Sequence, residues 1–248
     1  MDDVTQPVFR FAPSPNGLLH LGHAYSALVN FEMAQAFKGR FLLRLEDIDT
    51  VRCTPAYEEQ IFEDLAWLGI RWEEPVRRQS DHFETYAEAL ETLRSQGLIY
   101  PATLSRAALK RMIAESEEDG KEWPRDPDGA PLYPTQERHR SHEEQEVITN
   151  GNESFAWRLN MVGVKALMKD RLSWTEWRLS EAGEVEEDDI TADPWKWGDV
   201  VLGRKDIPTS YHLSVVIDDM LQGVTHIVRG QDLKEATAVH RDLLDLLE

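Results

Sequence analysis

A single cysteine, Cys53, leaves no possibility of an internal disulfide. Nothing around it supplies a low-pKa setting, so it reads as an ordinary cytoplasmic thiol. No run of about 18 apolar residues occurs, and no membrane span is expected. The opening Met1-Asp2-Asp3-Val4 lacks a basic n-region and an apolar h-region, which argues against a secretory signal and for a cytoplasmic protein. Basic residues are few: 27 Lys and Arg stand against 46 Asp and Glu, a net charge of −19. That balance disfavours broad nonspecific binding to nucleic acid while leaving room for a local basic patch. Composition by itself points to a small-molecule enzyme. With 41% hydrophobic residues in 248, the chain can build one large domain, or one domain carrying a sizeable insertion.

Alternating strands and helices are expected over residues 1–97. Val8–Phe11 reads as a short strand, followed by a loop with two prolines, Pro13-Ser14-Pro15-Asn16-Gly17. A helix is predicted from about Gly22 to Lys38, ending at Gly39. Phe41–Glu46 is mostly apolar, as in a buried parallel strand. Thr54 and Pro55 suit an N-cap and first helical position; Tyr57, Ile61, Leu65 and Leu68 then follow at helical spacing. A third helix is expected over about Phe83–Gln96. This order implies half of a doubly wound α/β fold. Residues 98–195 read as an inserted smaller α+β subdomain, with Ser105 capping a helix and acidic clusters at 115–119, 143–146 and 181–189 forming solvated faces. Residues 196–248 bring back apolar runs, including an expected strand at Val224–Val228 that ends in Arg229, then a helix from about Leu233.

Three segments carry chemistry. The first runs Arg10-Phe11-Ala12-Pro13-Ser14-Pro15-Asn16-Gly17-Leu18-Leu19-His20-Leu21-Gly22-His23. Glycine between two histidines at a strand-to-helix turn lets backbone approach a nucleotide, and the helix N-terminus favours phosphate. Imidazole donors there can stabilise developing charge. The second, Arg44-Leu45-Glu46-Asp47-Ile48-Asp49, sits at a strand end, where a carboxylate can hold a substrate ammonium. The third joins Tyr211 to Arg229, an arginine suited to bidentate contact with a carboxylate.

Together, in this order, these segments resemble the glutamyl-tRNA synthetases, whose catalytic domain is a Rossmann-like class I aminoacyl-tRNA synthetase fold, a parallel sheet with an inserted subdomain. Within that family the chain looks most like the short paralogues, the glutamyl-Q tRNA(Asp) synthetases: Gln222–His226 and Gln231–Thr237 are similar to theirs. The resemblance implies that Arg10, Phe11, Ala12, Pro13 and Ser14 line a glutamate site, that Glu46 holds the α-ammonium, and that Tyr211 and Arg229 reach carboxylate oxygens. It implies that His20, Gly22 and His23 contact ATP, with the two histidines acting in the transition state. The implied reaction forms glutamyl-adenylate from glutamate and ATP with Mg2+, then transfers glutamate to the queuosine base of tRNA(Asp).

The chain departs from the family twice. Many relatives hold zinc in the insertion through Cys-x-Cys, Tyr and Cys; the matching positions here are Ala102, Leu104, Tyr133 and Glu137, so no zinc is expected, and packing around Trp123, Leu132 and Tyr133 is the expected substitute. No Lys-x-Ser-Lys-like text occurs before Glu248, so the catalytic domain is expected to be cut short there. Arg77, Arg78, Lys110, Arg111, Arg138, Arg140, Lys165, Lys169 and Arg171 are RNA contacts or ordinary surface charges. Trp174, Trp177, Trp195 and Trp197 are base-stacking or packing residues. Three other readings stay open: the catalytic piece of an ordinary glutamyl-tRNA synthetase, a non-catalytic glutamate-binding paralogue, and a nucleotidylyltransferase, which shares His-x-Gly-His but has no need of Arg10, Glu46, Tyr211 and Arg229.

Overall fold

The computed structural model describes residues 6–168, 172–179 and 184–248. In chain order the elements are β1 (Val8–Phe11), α1 (Leu21–Ala36), β2 (Arg40–Leu45), α2 (Pro55–Trp67), β3 (Glu73–Arg78), α3 (Phe83–Ser95), β4 (Ile99–Ala102), α4 (Arg106–Glu118), α5 (His142–Asn150), β5 (Ala156–Leu159), α6 (Met161–Leu167), β6 (Ser173–Leu179), β7 (Val185–Thr191), β8 (Val201–Arg204), α7 (Tyr211–Leu221) and α8 (Thr237–Leu247). They form two compact units, Met1–Thr85 with Ser214–Lys234, and Tyr86–Leu213 with Glu235–Glu248. No helix of the described residues is long and apolar enough to cross a membrane.

The first unit is built on a parallel sheet of order β1-β2-β3. Register explains its two faces. Phe9 lies opposite Phe41 and Phe11 opposite Leu43, so these residues share a face with Leu45. That face packs against Ala27 and Ala34 of α1 and Ile61 and Leu65 of α2, all buried. Arg10 lies opposite Leu42, which puts Arg10 and Arg44 together on the other face. Arg44 in turn lies opposite Arg77 of β3. One face of this sheet is therefore largely apolar, and the other brings the guanidiniums of Arg10, Arg44 and Arg77 together.

Local signals start and stop the helices as expected. Thr54 caps α2 through the backbone N–H of Tyr57, with Pro55 at the first helical position. After α1 the chain turns at Gly39, whose missing side chain matters because a Cβ there would meet the Pro7 carbonyl oxygen at 2.5 Å. Two expectations fail. Val224–Val228 is not a strand: Thr225 and His226 both donate backbone N–H to the Val8 carbonyl, and the Thr225 hydroxyl accepts from the Val8 N–H. That hydroxyl takes a place a ladder partner would fill, so pairing stops after one residue. The final helix begins at Thr237 rather than Leu233, because a 3-10 turn occupies Gln231–Leu233.

The second unit holds an antiparallel sheet of order β4-β5-β8 and the β6-β7 hairpin. Its interior is tied by Asp199, which is 2% exposed. Asp199 accepts from the Tyr100 hydroxyl at 2.7 Å, the Met161 N–H at 3.0 Å and Arg138 at 2.7 Å. Ala102, Leu104, Tyr133 and Glu137 do converge, but not as metal ligands. Ala102 and Leu104 pack on Tyr133. The Glu137 carboxylate accepts from the Thr103 hydroxyl at 2.5 Å, the Thr103 N–H at 3.1 Å, Tyr133 and Arg140. Alanine and leucine offer no donor atom, and both Glu137 oxygens are committed, so this set does not fit zinc. The substitute is more polar than packing around Trp123 and Leu132, where Trp123 Nε1 donates to the Leu132 carbonyl at 2.9 Å and the Leu132 N–H to the Pro124 carbonyl at 2.9 Å. Hydrogen bonds to Glu137 outweigh its burial and hold its carboxyl below the usual carboxylate range. Glu137→Ala should lower stability by about 1–3 kcal/mol, because it orphans several donors at once. Urea unfolding checks this, and a chelator added to the unsubstituted protein should leave the midpoint unchanged.

Candidate active site

The three guanidiniums on the sheet's polar face would be costly to bury alone. Helix α7 supplies the opposing charge. Asp219 Oδ1 accepts from Arg10 Nε at 3.0 Å and from Arg44 Nη1 at 2.7 Å. Asp218 accepts from Arg77 Nε at 2.7 Å and Gln79 Nε2 at 2.9 Å, and lies 3.7 Å from Arg44 Nε. Gln222, one turn beyond Asp218, adds a 3.1 Å bond from Arg44 Nη1. Glu46, two residues past Arg44, accepts from its Nη2 at 3.2 Å. Three cations thus meet three anions. Burial opposes the Arg44 charge, but Asp219, Glu46 and Asp218 outweigh it and raise its pKa. Burial also pushes the Glu46 carboxyl above the usual range, against the pull of Arg44 and Arg10. For Asp219, burial is outweighed by Arg10 and Arg44, which hold its carboxyl low.

The loop after β1 is pinned over this cluster. The Pro13 carbonyl accepts from the Glu46 N–H at 2.9 Å, and the Pro15 carbonyl from the Thr54 N–H at 3.1 Å. Ser14 Oγ lies 3.6 Å from Cys53 Sγ. Burial raises the Cys53 thiol's pKa, in keeping with an unreactive cysteine. Phe11 is buried at the end of β1, and Ala12 leads into the loop.

The loop ends in the two histidines, which cap α1. His20 Nδ1 accepts from the Gly22 N–H at 3.1 Å and His23 Nδ1 from the His20 N–H at 3.3 Å. Their rings stack with centroids 3.9 Å apart. An Nδ1 that accepts must be unprotonated, so each neutral ring carries its proton on Nε2. Burial and the neighbouring His20 lower the pKa of His23. A side chain on Gly22 would meet the His20 ring at 3.0 Å, so glycine here makes room for the imidazole.

Arg229 lies in the same unit, directly after Val228, whose carbonyl accepts from Asn30 Nδ2 of α1 at 3.1 Å. Tyr211 opens α7 and belongs to the second unit, where its ring stands 5.6 Å from that of His240. Hydrogen bonds thus tie Arg10, Asp219, Arg44, Glu46 and Pro13 together in the first unit, and His20, Gly22 and His23 lie in the same unit at the start of α1. Of the basic residues, Arg77, Arg78, Arg138 and Arg140 are paired to Asp218, Glu58, Asp199 and Glu137. Lys110 and Arg111 are exposed, Lys165 lies 5.2 Å over the Trp195 ring, and Lys169 and Arg171 fall outside the described residues.

Residues 7–248 match the family model for tRNA synthetases class I (E and Q), catalytic domain. The chain belongs to this family. Relatives of the synthetase domain include the glutamyl-Q tRNA(Asp) synthetase of Rhodobacter capsulatus, 43% identical over 246 residues, covering 97% of this chain and 82% of that protein. Glutamate–tRNA ligase 2 of Gluconobacter oxydans is 35% identical, covering 96% of this chain and 48% of that protein. Among solved structures, a glutamate tRNA ligase from Elizabethkingia meningosepticum in complex with its amino acid superposes with a TM-score of 0.74 at 25% identity, covering 98% of this chain and 47% of that one. The synthetase domain spans about half the length of the glutamate–tRNA ligases it matches.

Sequence reasoning missed Asp218, Asp219 and Gln222. The signal was present: two adjacent acids interrupt the apolar run of Leu213–Leu221 in the synthetase domain, which only buried partners can justify. Arg44→Leu would strand its carboxylates and should destabilise the protein by about 3–5 kcal/mol in urea unfolding at neutral pH. Acid unfolding should move to higher pH in the same variant. Asp219, held low, contributes stability present above its unfolded pKa and lost as pH falls through its folded value.

Proposed function

We propose that this chain activates glutamate with ATP, forming glutamyl-adenylate, and that the full protein passes glutamate to the queuosine base of tRNA(Asp). The observation that carries the first step is the Arg10–Asp219–Arg44–Glu46 cluster at the carboxyl ends of β1 and β2, where open parallel sheets gather ligands. It joins a cation for a carboxylate to an anion for an ammonium, and the same unit holds a histidine-capped helix start suited to phosphate.

In this reading Arg10 and the Phe11–Ser14 loop line the glutamate site and Glu46 holds the α-ammonium. Arg229 reaches a carboxylate. A glutamate α-carboxylate oxygen attacks the α-phosphorus of ATP, the bond to the bridging oxygen breaks, and pyrophosphate leaves. His20 and His23 present Nε2–H donors to the phosphate oxygens, and Gly22 lets them fold over the helix start. Among the described residues no group of three or more His, Cys, Asp or Glu could hold a metal ion, so Mg2+ would arrive on the ATP phosphates. Positioning and charge do the work; no protein nucleophile takes part. The glutamyl-Q tRNA(Asp) synthetase relative supports the tRNA(Asp) acceptor. The glutamate–tRNA ligase relatives support a second reading, charging of tRNA(Glu).

Glutamate-dependent exchange of pyrophosphate into ATP, without tRNA, is the expected activity; an absolute need for tRNA would favour the second reading. Arg229→Ala should abolish exchange while the protein still unfolds cooperatively, since losing a charged partner of a carboxylate costs about 2–5 kcal/mol. Normal exchange in that variant removes Arg229 from the site. Labelled glutamate should transfer to tRNA(Asp) that carries queuosine and not to tRNA(Asp) that lacks it.

A further inference from the structure

We infer that Asp219 is a positioning residue for amino-acid recognition, the shared anchor that fixes Arg10 for substrate while holding Arg44 in place behind Glu46. This rests on reading the cluster as a glutamate site.

The two arginines on the sheet's polar face are used differently. Arg44 is enclosed, with a side chain of 0% exposure. Its Nη1 serves Asp219 and Gln222, its Nη2 serves Glu46, and its Nε lies against Asp218. Such a guanidinium has no edge left for a ligand. Arg10 makes its one hydrogen bond to a described residue from Nε, to Asp219. Both Nη groups, the pair that suits a carboxylate, stay uncommitted. Both arginines donate to the same atom, Asp219 Oδ1. That oxygen fixes the plane of Arg10 relative to Arg44, and so to Glu46. The spacing between the cation for a substrate carboxylate and the anion for its ammonium is thereby set by one side chain of α7, which need not touch substrate itself.

A merely structural Asp219 and a positioning Asp219 predict different kinetics. In glutamate-dependent pyrophosphate exchange by the full-length protein, Asp219→Asn should raise KM for glutamate about tenfold or more while KM for ATP stays within about twofold. Asp219→Glu keeps the charge balance but moves the carboxylate by one methylene, so it guards against a misfolded Asn variant. It should show the same selective rise with a cooperative thermal melt. An unchanged glutamate KM in folded Asp219→Glu, or a parallel loss for glutamate and ATP in both variants, overturns the assignment while the proposed function stands. No glutamate-dependent exchange in the unsubstituted protein overturns both.

Discussion

Arg44 cannot sit inside a parallel sheet by itself. A guanidinium taken out of water costs several kcal/mol unless its donors are met and its charge matched. Here the match comes from Asp218 and Asp219 on α7, with Glu46 two residues further along the same face of β2. Much else follows from that requirement. Helix α7 must present its acids to this face, the chain must return to the first unit at Ser214, and Glu46 is held where β2 ends. A network of three cations and three anions leaves little freedom to any member, because moving one strands another.

The same sheet separates stability from chemistry. Its apolar face, with Phe9, Phe11, Phe41, Leu43 and Leu45, is an ordinary core against α1 and α2. Its polar face holds the paired charges of Arg10, Arg44, Arg77, Asp218, Asp219 and Glu46. The start of α1 is capped by imidazoles, which satisfy backbone N–H groups through Nδ1 and leave Nε2 out of the cap. A cap of Ser or Asp would do the first without the second.

In the second unit Glu137 gathers Thr103, Tyr133 and Arg140. A hydrogen-bonded hub of this kind needs no cysteines, in keeping with a chain that has only Cys53, far from this region in sequence.

The helices capped by Thr54 and Ser105, the helix that follows the histidine-glycine turn, and the buried strands β1 and β2 were readable in the chain, because caps and periodicity are local and act within a few residues. Three things were decided only in the tertiary structure. Val224–Val228 has the composition of a strand, yet the Thr225 hydroxyl takes the Val8 N–H and ends the ladder. Strand β3, with Glu and Arg at most of its positions, has no apolar signature and pairs only because β2 offers a parallel edge. Asp219 and Arg10 stand 209 positions apart in sequence, and no local rule links them. Their partnership exists because a buried charge selects its counter-charge by distance in space, and chain order carries no record of that distance.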